Sequence, residues 1–260
     1  MKTIKLKLAL IVLLAVTSVQ AVEKERKSLV IAGDYWCPYN CNPESERQGF
    51  LVELARRALY IYGIDVEYRM MPWSQALEEV GSGKVDGIVG LSNPKGKKLA
   101  STELPLDYSL SVAFTRVDTD WTYDGISSLR GRKIGIIMDY LVDESINQYI
   151  GSNYTTNPGM FVVEDGANAV IESIANLMDN EIDVYIEDER VVKYYTQETG
   201  LAKSIRNAGK VTKEKLPIYI AFSANIPNIK KYIGYLEEGI ASLKATGEYD
   251  ELRAKYNMDQ

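Results

Sequence analysis

Between Pro72 and Val89 the spacing of apolar residues changes period. Ala76, Leu77 and Val80 fall three, four and seven places after Trp73, the stripe of an amphipathic helix, and Gly81 and Gly83 close it. Val85, Ile88 and Val89 then make a run too short for a helix, which predicts a strand buried on both faces. Ser92–Lys98 follows at the carboxyl end of that strand, the edge at which open α/β sheets bind ligands. Ser173–Arg190 repeats the order: helix, turn, apolar residue, Asp, short strand, polar residues. Two such units predict two similar lobes with a site between their facing edges.

The same patterning extends along the chain. Leu29–Ala32 reads as a buried strand. Phe50, Leu51, Leu54, Ala55, Ala58 and Leu59 mark one helix face, ended at Gly63, and Ile64–Met70 alternates as a strand. Leu104–Tyr108 reads as an edge segment and Leu110–Thr115 as a strand. Strands alternating with helices argue a parallel sheet covered on both faces. Arg116–Tyr123 carries no period, as a crossing between lobes would. Beyond it come a strand at Ile134–Ile137, a helix at Asp143–Ile150, a strand at Phe161–Val163 and a helix face over Ala167–Met178. The echo strand, Ile182–Ile186, ends in Glu187-Asp188-Glu189, and Val191–Thr196 starts another helix. Leu216–Ser223 is an apolar strand, Ile229–Leu243 a long helix ended at Gly247, and Tyr249, Leu252 and Tyr256 a last one. The second lobe already has its own helices, so the tail is expected to return to the first.

Composition adds a destination. Lys2, Lys5 and Lys7, the apolar stretch Leu8–Val16 and the small-residue site Val19-Gln20-Ala21 read as a signal peptide over residues 1–21. Cleavage after Ala21 is expected, with an uncleaved membrane anchor as the alternative. No cysteine stands at the cleavage site after the apolar stretch, so no lipid anchor is expected and the mature chain is placed in the periplasm. Three of the 30 basic residues leave with the signal, so 27 face 36 acidic ones and the net charge moves from −6 to about −9. That balance excludes a basic nucleic-acid footprint, and no other stretch is apolar enough to cross a bilayer.

The 260 residues include no histidine. This removes the Ser-His-Asp and Cys-His nucleophile systems and the commonest metal ligand, and neither a metal nor a cofactor is expected. Cys37 and Cys41 flank Pro38-Tyr39-Asn40, and an oxidising compartment predicts a disulfide between them, against two unlinked thiols. Asp34 and Trp36, at the end of the first strand, read as a pocket wall; the alternative is a surface loop pinned by the disulfide. Asp86 and Asp183 each precede a strand and are expected to fix turns. With 18 tyrosines, no single one stands out as a site residue.

Several pieces together resemble the extracellular solute-binding proteins of family three, the amino-acid-type periplasmic receptors of ABC importers. They are Gly49-Phe50, Pro72-Trp73, Ser82–Ile88, Leu129–Gly135, Asn180–Asp183, Tyr219–Ser223 and Gly247–Leu252. Their order and spacing span nearly all of the mature chain. The resemblance implies a two-lobed α/β fold, periplasmic-binding-protein-like (type II), with two crossing segments and a ligand cleft closed by a hinge. Lobe one would be residues 28–114 and 222–260, lobe two 115–221. The family's site positions carry over to Asp34 and Trp36, to Trp73 as a stacking ring, to Gly90, Leu91 and Ser92 as a backbone and hydroxyl clamp, and to Asp188 as an amine-binding acid. Rings cover an apolar ligand body and a buried carboxylate pairs with an ammonium. Two positions depart from the pattern. Lys97, or Lys98 one place on, stands where an arginine usually forks onto a carboxylate, and lysine has no such fork; a solvated run of lysines is the alternative. Met138, Asp139 and Tyr140 replace the small residues of the lobe-two loop and, with Glu187, Asp188 and Glu189, make that wall acidic.

The function expected is binding, not catalysis. A monomer captures a small-molecule ligand, an amino acid or a related amine, and presents it to the membrane permease of an ABC importer. One alternative is an exported dehydratase- or lyase-like enzyme using Asp34 and Asp188 as acid and base. The other is a ligand-sensing partner of a membrane signalling protein.

Overall fold

Each of the two repeated units builds the centre of one β-sheet. The structure is a computed structural model that describes residues 27–94 and 98–259. The expected signal peptide and Lys97 lie outside the described residues. The first stretch runs β1 (Lys27–Gly33), α1 (Phe50–Tyr60), β2 (Ile64–Met70), α2 (Trp73–Ser82), β3 (Gly87–Leu91), β4 (Leu99–Ser101) and β5 (Asp107–Ser109). The middle runs β6 (Ser111–Arg116), β7 (Ile134–Ile137), α3 (Glu144–Tyr154), β8 (Phe161–Glu164), α4 (Ala169–Met178), β9 (Val184–Asp188), α5 (Glu189–Glu198) and β10 (Ile205–Lys210). The tail is β11 (Leu216–Ser223), α6 (Ile229–Thr246) and α7 (Glu248–Lys255).

The first sheet has the order β2-β1-β3-β11-β4, with β5 also paired to β11; the second has the order β10-β6-β9-β7-β8. In each, the repeated unit's strand lies parallel to its neighbour: β3 beside β1, β9 beside β7. The strand arriving from elsewhere in the chain is antiparallel, β11 on β3 and β6 on β9. This is the two-lobed α/β, type II periplasmic-binding-protein-like fold. Expected lobe divisions at 114/115 and 221/222 fall inside β6 and β11, whose pairing is with the second and the first sheet throughout.

Asp86 and Asp183 fix equivalent junctions. The Val30 amide donates to the Asp86 carboxylate at 2.6 Å, and the Lys133 amide to Asp183 at 2.8 Å. The Asp86 amide returns to Val30 O and the Asp183 amide to Lys133 O. Each Asp thus staples the start of its strand to the neighbouring parallel strand, a role short acidic side chains fill well.

The tail covers the first sheet. Helix α6 lies so close to α1 that a Cβ on Gly239 would sit 2.4 Å from the Ala58 carbonyl oxygen, which is why this helical position is glycine. Tyr256, just past α7, accepts a hydrogen bond from the Gly49 amide at 2.9 Å and donates to Glu53. Two strands fall outside the sequence pattern. β4 is only three residues long, and the alternation of β10 is broken by a register shift between Asn207 and Gly209.

Candidate functional site

The carboxyl ends of β1 and β3 face those of β7 and β9 across a cleft. At the end of β1 the Cys37–Cys41 disulfide, with Cα atoms 4.8 Å apart, closes the short loop that presents Trp36. The Trp36 amide donates to Asn40 O at 2.8 Å, fixing the loop backbone, and its ring stacks on Tyr39 at 4.3 Å, fixing one face of the indole. Trp73 is set at the first turn of α2 behind Pro72. Gly90 has φ +95°, and a Cβ there would meet the Trp36 ring at 3.5 Å. The glycine keeps the strand end open beside the indole.

Rings and acids alternate across the gap. Trp36 of lobe one donates its indole N–H to Glu187 Oε1 of lobe two at 2.9 Å. In return Tyr140 of lobe two donates its hydroxyl to Asp34 Oδ2 of lobe one. The Trp73 indole donates to the Asp139 carbonyl at 3.2 Å, and its ring meets Tyr140 edge-on at 5.8 Å. Ser74 reaches Asp165 at 2.5 Å, and the Tyr35 amide reaches Ala167 O at 2.9 Å. The two lobes are therefore closed on each other.

The acids are costly to ionise here. Asp34 is 2% exposed and Glu187 is 5% exposed. Burial pushes the Asp34 carboxyl up to about 6, against the pull of the Tyr140 hydrogen bond. Burial pushes Glu187 up to about 7, although the Asp188 amide, Trp36 and Tyr185 all donate to it. Among the described residues lining the cleft there is no cation to offset the charge that either group would carry.

The cavity between the walls has a volume of about 60 Å³. Asp34, Trp36, Trp73, Gly90, Leu91, Ser92 and Asp139 all line it, as do Tyr140, Ser109, Ser111, Ile186 and Glu187. No lysine or arginine is among the described residues on its wall. Asp188 is not on that wall. Its carboxylate accepts from the Arg190 and Val191 amides, capping α5, and from Ser109 Oγ and the Leu110 amide where the chain crosses between lobes. Side chains alternate along a strand, so Glu187 points into the cleft and its neighbour points away. Alternation was the signal for Glu187; for Tyr140 there was none beyond its place beside Asp139. Among the described residues no three potential metal ligands come together.

A model of the bacterial extracellular solute-binding proteins, family 3, matches residues 29–259. Similar solved structures include a histidine kinase sensor domain with similarity to periplasmic binding proteins, at 22% identity and TM-score 0.72, covering 90% of this chain and 97% of that one. The P235GK mutant of ArgBP from T. maritima superposes at TM-score 0.73 with 17% identity, over 90% of this chain and 97% of its own. An ancestral arginine-binding protein bound to arginine gives 0.70 and 17%, over 89% and 98%. No curated protein matches the sequence.

Proposed function

The chain belongs to the bacterial extracellular solute-binding proteins, family 3, and from that premise we propose that it binds a small organic cation, an amine or amine-bearing amino-acid relative, between its lobes. Export to the periplasm and delivery to the permease of an ABC importer complete the reading, with binding and release but no turnover. The observation that carries it is the pair of buried carboxyls, Asp34 and Glu187, on opposite walls of a cleft whose described lining holds no cationic side chain. Two buried carboxylates are unfavourable as a bare pair and become favourable when an ammonium sits between them. Trp36, Trp73 and Tyr140 supply ring faces that attract a cation. In the closed structure the Trp36 and Tyr140 donors occupy the carboxyls, so an entering ammonium replaces them as donor.

A thermal-shift series tests this, with alkylammonium ions, diamines and arginine on one side and size-matched carboxylic acids on the other. A cation at a hundredfold its dissociation constant stabilises by about 2.7 kcal/mol, roughly 5–10 °C for a chain of this size. Glu187→Gln removes one partner of a buried charge pair and weakens binding at least about 30-fold. Acids that shift the midpoint while cations do not would overturn the proposal. A second reading, ligand sensing, has the fold of a histidine kinase sensor domain in its favour. Ligand uptake that stops when the protein is deleted separates transport from sensing.

A further inference from the structure

The cleft cavity is too small for a whole solute. About 60 Å³ holds roughly four to six water-sized groups, an ammonium head with a short stem, against the several hundred typical of ligand pockets. A second cavity of about 330 Å³ lies in lobe two between β7, β8 and α3. It shares Asp139, Tyr140, Leu141, Val142 and Ile186 with the first, so the two are separated by one layer of side chains. Its lining is largely apolar, with Ile136, Ile150 and Val163 as floor and sides. Met138, Leu141 and Tyr154 line it too and are among the exposed large hydrophobic residues of the chain. Helix α3, its outer wall, buries only Ile146.

We infer that this second cavity is the other half of the ligand site, taking the apolar arm of the cation whose head sits between Asp34 and Glu187. The inference rests on the cationic reading of the cleft and adds the ligand's shape: an ammonium carrying an alkyl or aryl arm. The Tyr140 ring, part of the shared wall, moves aside to join the two spaces. A different space adjoins the cleft at Ser92, Leu141, Val142 and Leu216, a wide groove rimmed by Glu103, Asp143 and Glu144. That groove is far larger, about 1050 Å³, and carries acidic residues on its rim, so a single ligand arm there stays partly in water and gains less from burial. The two routes predict different dependence on arm length.

Calorimetric titration with methyl-, butyl- and hexylammonium, and with hexanol as the uncharged arm, reads the difference. Burial of each methylene strengthens binding roughly fourfold, so affinity rises steeply from methyl to hexyl in the wild type. Gly151→Leu fills the second cavity: Gly151 lines it, lies within α3, and has nothing within 4 Å of its Cβ position. This variant keeps methylammonium affinity and loses the gain with length; Val163→Phe, on the opposite side of the cavity, does the same. Binding that is flat with arm length, or a length gain untouched in both variants, overturns the second subsite and leaves the cationic cleft standing. Hexanol binding that Gly151→Leu abolishes, with no advantage for any ammonium, keeps the apolar cavity and overturns the charge reading. Failure of every probe to bind overturns both.

Discussion

The two lobes use one device to place a strand and then put different chemistry at its end. In lobe one Asp86 staples β3 to β1; in lobe two Asp183 staples β9 to β7, with amide-to-carboxylate distances of 2.6 and 2.8 Å. Beyond the staple the lobes diverge. β3 ends in Gly90 and Leu91, with φ +95° at the glycine and backbone turned toward the Trp36 ring. β9 ends in Glu187 and Asp188, both buried acids. The comparison teaches that the frame is repeated and the chemistry is not. Each wall acid takes one hydrogen-bond donor from the opposite lobe, Trp36 for Glu187 and Tyr140 for Asp34, so neither lobe forms a complete site alone.

The difference at the strand ends is broken most directly at Asp188. Alanine there strips the cap from α5 and leaves Ser109 Oγ and the Leu110 amide without their acceptor. A loss of about 2–4 kcal/mol is expected in urea unfolding. Glu187→Gln, one residue earlier, keeps shape and most donors while removing a buried charge, and is expected to leave the unliganded protein as stable as before or slightly more so. Equal destabilisation by the two variants would mean that the strand end does not divide structure from binding as the geometry has it.

This pair also marks how far the sequence could be read. Period and turn residues located β2, β7 and β11 at their observed bounds and marked Asp86 and Asp183 ahead of their strands, because those features depend on neighbours in the chain; that each Asp bonds across to the next strand was not part of that reading. The place of Trp36 after the first strand led to it, and the family resemblance led to Trp73, Gly90 and Asp139; all four line the cavity. The acidic tripeptide 187–189 was legible as an acidic edge, but which acid turns inward depends on strand register. β9 runs two residues past the expected Ile186, and one residue of register reverses the face. Tyr140 meets Asp34 from 106 positions away, a juxtaposition set by lobe closure and invisible to any local pattern.

Asp86→Ala and Asp183→Ala test the sameness of the frame. Each leaves a backbone amide at a strand junction without its acceptor, and about 1–2 kcal/mol is expected in each case. Hydrogen exchange then localises the damage: the Val30 amide opens in the first variant and the Lys133 amide in the second. A cost in one lobe alone would show that the echo in sequence is not an equivalence in energy.

A last effect, read as melting temperature against pH, comes from the wall acids and sets one lobe against the other. Folding lifts Asp34 from 3.8 to about 6 and Glu187 from 4.5 to about 7. Above pH 4.5 the unfolded chain has released these protons while the folded chain still holds them, so the folded state binds more protons and its stability falls as pH rises. The fall extends through the two folded values and ends near pH 7–8. Asp34→Asn should remove the part of this slope that ends near pH 6, and Glu187→Gln the part that continues to about pH 7, when melting is followed from pH 5 to 8 without ligand. Cation affinity has the opposite sign, because an ammonium needs ionised partners: it strengthens across the same window, and at pH 6 binding releases protons to the buffer. Calorimetry in two buffers of different ionisation enthalpy counts those protons. A melting temperature that climbs from pH 5 to 8, together with cation binding that releases none, would mean that both acids are already ionised and paired in the unliganded cleft. The donors lent across it by Trp36 and Tyr140 would then suffice without a ligand.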